Sequence, residues 1–80
     1  MKNYIISEAE KISLLQYQIS QKPNDLSLKS ELASLYIAVG DFELASNFLE
    51  VVIKEFPDEY LFHHMLGRVY FQSGKKEEAL

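Results

Sequence analysis

Shifted by 34 residues, the chain matches itself. Pro23 falls on Pro57, Leu32 on Leu66, Tyr36 on Tyr70, Gly40 on Gly74, Glu43 on Glu77 and Ala45 on Ala79. These are six identities over the 24 positions that align 23–46 with 57–80. Composition alone would give about one or two. Asn24 and Asp25 meet Asp58 and Glu59, and small Ala33 meets Gly67. Self-similarity at such a period constrains the fold more than any other feature. One supersecondary unit recurs, and it buries its apolar face only by stacking on its neighbour.

The recurring residues sit where backbone chemistry is special. Each proline stands ahead of an amide or acid and then an apolar-periodic stretch, as at a helix start. Each glycine follows such a stretch, as at a helix end, where only glycine enters the left-handed region cheaply. Between them the apolar residues step by three and four. Leu28, Leu32, Leu35, Tyr36 and Val39 mark one face in 28–39. Leu44, Ala45, Phe48, Leu49, Val52, Ile53 and Phe56 do so in 42–56, and Phe62, Leu66, Val69 and Tyr70 in 60–71. Asp41 and Asp58 are candidate N-caps. Ile5, Ala9, Ile12, Leu15 and Ile19 predict a further helix over 3–21, with Leu15 and Ile19 falling on Leu49 and Ile53 under the same shift. Ser7-x-x-Glu10 also fits a capping box that starts this helix later, while Ile5 and Ile6 continue its apolar face.

Leu32-Ala33-x2-Tyr36, then Gly40-Asp41-Phe42-x2-Ala45, with Leu49 and Pro57, resembles a tetratricopeptide repeat (TPR). The second copy reads Leu66-Gly67-x2-Tyr70, Gly74-x4-Ala79. Both copies depart from the pattern at its opening tryptophan, where Lys29 and His63 stand. The resemblance implies an all-α fold of antiparallel helix pairs stacked as a short TPR-like α-solenoid, about four helices plus a truncated fifth. Residues 1–25 would hold an N-terminal helix from a degenerate half repeat, 26–59 repeat one and 60–80 a truncated repeat two, all in a single domain. Leu32, Ala33, Tyr36, Gly40, Ala45, Pro57, Leu66, Gly67, Tyr70, Gly74 and Ala79 would carry the repeat packing. Small Ala33, Gly67 and Ala45 would let helix backbones approach closely.

The chemistry of the side chains excludes several classes of function. Without cysteine there is no disulfide scaffold, zinc-thiolate site or cysteine nucleophile. Eight Lys and Arg against twelve Asp and Glu leave a net charge of −4, and basic residues do not cluster into a phosphate-binding groove. Nucleic acid is therefore not an expected partner, and the ten aromatics read mostly as core. His63 and His64 are adjacent and diverge around a helix. Glu59 and His63 alone are too few ligands for a metal. No nucleotide-binding, zinc-protease or nucleophile-elbow motif occurs. Ser27, Ser30 and Ser34 have no histidine near them in sequence and read as a polar face. No catalytic residue, metal or cofactor is expected.

The resemblance implies instead a protein or peptide partner, held in a groove lined by the first helix of each repeat. Counting around the helices, that side holds Ser27, Ser30, Ser34, Ile37 and Ala38, then Leu61, His64, Arg68, Phe71 and Gln72. Ser30, Ser34 and Met65 occupy the places where some family members clamp a C-terminal carboxylate with Lys and Asn, so that ligand is not expected. Ile37, Leu61 and Phe71 beside Arg68 suit an amphipathic or apolar segment. The expected function is a non-catalytic adaptor or assembly scaffold. The alternatives are a self-association domain and a regulatory fragment of a larger protein. The second helix of repeat two would begin near 76 and stop at Leu80. That truncation leaves two explanations, a fragment of a longer array or a second copy docked on this end. For the 80-residue chain in isolation it predicts a homo-oligomer, most simply a two-fold dimer through the C-terminal helices. No apolar run reaches the ~20 residues of a membrane helix and no export signal is visible, so a cytoplasmic location is expected.

Overall fold

A computed structural model of the chain describes residues 7–74. These residues form four α-helices and no strand: α1 Glu8–Gln21, α2 Leu26–Ala38, α3 Phe42–Glu55 and α4 Tyr60–Gln72. The 34-residue shift carries α1 onto α3 and α2 onto α4, residue for residue at both ends. The backbone repeats as well. Gly40 and Gly74 have φ of 82° and 86°, the left-handed conformation that a side chain resists. The C-caps Lys22 and Phe56 share nearly the same dihedrals, with φ/ψ of −135°/73° and −134°/70°.

Local chemistry starts each helix. Ser7 and Glu10 form a full capping box, so α1 begins at Glu8, and positions 3–6 of the helix expected over 3–21 lie outside the described residues. Asp25 and Asp41 each accept from the backbone N–H three residues on, at Leu28 and Leu44. Asp58 is not a cap. Glu59 stands at the N-cap of α4 and makes no side-chain capping bond. The shift explains this: Glu59 is equivalent to Asp25, and its extra methylene moves the carboxylate away from the first-turn amides.

Loops of three and four residues join the helices and turn the chain back each time. Lys29 near the start of α2 bonds Glu55 at the end of α3, as antiparallel neighbours require. Each helix packs on the next, and α2 also meets α4. The result is a slab of 50 × 28 × 15 Å by its principal extents. Its core holds Leu15, Leu32, Ala33, Tyr36, Ala45, Leu49, Val52, Phe62, Met65 and Val69. Burying each large apolar side chain of this set contributes about 1.5–3 kcal/mol. One inter-helix hydrogen bond recurs with the repeat. Gln16 of α1 donates to the Tyr36 hydroxyl at 3.0 Å, and the Tyr70 hydroxyl donates to the equivalent Glu50 at 2.7 Å.

Several inward faces differ from the periodicity. On α2 the buried set is Lys29, Leu32, Ala33 and Tyr36, while Val39 is exposed and Leu28 and Leu35 are half-buried. Leucines surround this helix, so apolar spacing alone does not single out one face. On α4, Met65 is buried and Leu66 and Tyr70 are half-buried. Leu44 and Ala9 are exposed. Gly67 is not a point of close approach, since nothing lies within 4 Å of where its Cβ would stand. The reason is its neighbourhood: α2 lies between α1 and α3, whereas among the described residues α4 meets only α3 and α2. Ala79 and the expected fifth helix lie outside the described residues. No helix among the described residues is long and apolar enough to cross a membrane.

Candidate functional site: a cleft between α2 and α4

Because α2 and α4 lie side by side, their adjoining faces share one surface. A shallow cleft of about 240 Å³ between them is lined by Ser34, Ile37, Ala38, Met65 and Arg68. Beside it, a depression of about 350 Å³ on α4 is lined by His63, His64, Gly67, Arg68, Phe71 and Gln72. Arg68 borders both. The fold therefore brings together Ser34, Ile37, His64, Arg68 and Phe71, as helix counting requires. Ser30 and Leu61 line neither hollow.

The helical register explains each position. Ser34, Ile37 and Ala38 recur at three- and four-residue steps on α2, and His64, Arg68 and Phe71 do so on α4. Met65 is only 6% exposed, so it forms the cleft floor rather than a binding rim. Phe71 is 62% exposed. Ser30 turns its hydroxyl back to the Ser27 carbonyl of its own helix at 2.9 Å. His63 Nε2 donates to the Pro57 carbonyl at 2.9 Å, which ties the start of α4 to the preceding loop. Among the described residues, no three His, Asp or Glu side chains gather as a metal site would need. The surface thus offers one guanidinium, an exposed aromatic ring and an apolar floor.

Two features escaped the reading of the sequence. Lys29 is 7% exposed; its ammonium pairs with Glu55 at 3.2 Å and lies 5.6 Å from the Phe56 ring centre. Only the register of α2 against the end of α3 reveals this, which no local pattern encodes. The second is an open depression of about 690 Å³ between α1 and α2, larger than the α2–α4 cleft. Leu14, Leu15, Leu28 and Leu35 line it, with Lys11, Gln18 and Glu31 among them. The 34-residue shift was the signal available, because it aligns these positions with the α3–α4 core. Compared with known proteins, the chain matches no family model, no curated protein and no solved structure at a significant level.

Proposed function

We propose that this chain is a TPR-like, non-catalytic protein–protein interaction module. Its α2–α4 surface holds a peptide or a partner helix with an apolar face. The observation that carries this reading is the meeting of Arg68 and exposed Phe71 beside a cleft floored by Met65 and walled by Ile37. Arginine and aromatic side chains dominate the energetics of protein interfaces. The same repeated helix pair would serve as a rigid platform, since function of this kind needs a shaped surface and no reacting group.

The test is binding by the full chain, compared among three variants. Proteins captured by the tagged chain should be lost with Arg68→Ala and with Phe71→Ala. They should be retained with Val51→Ala, which alters an exposed position on α3. Circular dichroism should be the same for all. Normal capture by both groove variants would remove the α2–α4 surface as the binding site.

A further inference from the structure

The α2–α4 cleft differs in charge from the rest of the surface. The chain carries a net charge of −4. Hollows elsewhere hold carboxylates: Glu31 between α1 and α2, Asp25 at the α1–α2 turn, and Glu43 between α3 and α4. Among the described residues, none lines the α2–α4 cleft, and Arg68 does. Helix α4 has no Asp or Glu along its length, Tyr60–Gln72. Its N-cap Glu59 stands nine residues before Arg68, about 13 Å along the axis. That exceeds the roughly 8 Å over which physiological salt screens exposed charges. Glu31, the acid of α2, lines the α1–α2 hollow rather than this cleft. Cations of the other elements are placed differently. Lys29 is buried in its pair with Glu55, Lys11 shares its hollow with Glu31, and Lys54 lies in the last turn of α3. Arg68 is exposed and makes no ion pair among the described residues.

We propose that the segment held in this cleft is amphipathic and acidic. It carries a side-chain carboxylate for Arg68 within one helical turn of the apolar residue that it seats on Met65 and Ile37. The proposal rests on the α2–α4 surface being the partner site. A guanidinium presents paired N–H donors that match a carboxylate, so the contact has a direction as well as a charge. The acidity of the rest of the protein adds selectivity by place. A carboxylate meets repulsion over the acid-bearing faces and attraction at Arg68. A basic segment is drawn to those faces and repelled here.

Selection from a random peptide library tests this, with the full chain and its Arg68→Glu variant as targets. The peptides are displayed through their C-termini, so any carboxylate comes from a side chain. Sequences selected by the wild type should pair an apolar residue with an Asp or Glu one turn away. Those selected by Arg68→Glu should carry Lys or Arg there. A selected peptide is then synthesised with an amidated C-terminus, with its acid intact and with Lys in its place. The Lys form should bind the wild type at least about fivefold more weakly, and Arg68→Glu more tightly. Arg68→Met keeps an apolar stem and should bind the two forms about equally. Arg68 is exposed, so helical circular dichroism should persist in every variant. Selected sequences rich in Lys or Arg overturn the proposal, as do sequences with no charge preference or the same preference for Arg68→Glu. Amide shifts of the labelled chain with the synthetic peptide separate the two claims. Shifts at Ser34, Ile37 and Arg68 without a preference for acids remove the carboxylate and leave the α2–α4 site standing. Shifts confined to α1 or α3 remove the site and the carboxylate with it, and so does failure to enrich any sequence.

Discussion

Ala33 and Ala45 have no exposed surface, yet Gly67, at the place equivalent to Ala33, has open space around its missing Cβ. The same repeat position therefore answers differently to substitution in its two copies. Ala45→Leu should overpack and cost about 1–3 kcal/mol, seen as a lower thermal midpoint. Gly67→Ala should stabilise by about 1 kcal/mol, because alanine restricts the unfolded chain and meets no obstacle in α4. A melt of Gly67→Ala below the parent would show that the glycine is packed after all. Lys29 separates packing from charge. Its stem is buried while Glu55 remains half-exposed, so loss of the pair leaves that carboxylate hydrated. Lys29→Met should therefore be within about 1 kcal/mol of the parent, and Lys29→Ala should lose about 1–2 kcal/mol through stem contacts. Equal losses in chemical denaturation would assign the effect to the ion pair.

The helices themselves are largely legible in the sequence. The 34-residue identity, the two glycines and the two prolines bracket α2, α3 and α4 to within about two residues of where they form. What stayed hidden was orientation. Leu26, Leu28, Leu32, Leu35 and Ile37 surround α2, and choosing Lys29 and Ala33 as inward positions requires knowing where α3 lies. Met65 shows the same limit on α4. Its equivalent Glu31 is exposed, so the repeat pointed it outward, but α2 covers it. Helix counting does place Ser34, Ile37, His64, Arg68 and Phe71 on adjoining faces, since the turns dictate the direction of the two helices. Capping gives the element-scale test. Asp25 bonds the Leu28 amide, and Glu59 at the equivalent place bonds none. Glu59→Asp should stabilise by about 0.5–1 kcal/mol, and Asp25→Ala should cost about 1 kcal/mol. An unchanged unfolding midpoint for both would mean that capping contributes little here.

At the scale of the whole molecule, one packing arrangement recurs among the described helices. The α2–α3 contact and the recurrent Gln16–Tyr36 and Glu50–Tyr70 bonds give the slab a repeating geometry. Repetition of this sort presents a surface, and the proposed partner site is the one between α2 and α4. Amide chemical-shift mapping tests that claim most directly, with a captured partner titrated into the labelled full chain. Perturbations should concentrate at Ser34, Ile37, Ala38, Arg68 and Phe71, with Val51 and Lys54 on α3 unmoved. Perturbations centred on α3, with α2 and α4 silent, would contradict it.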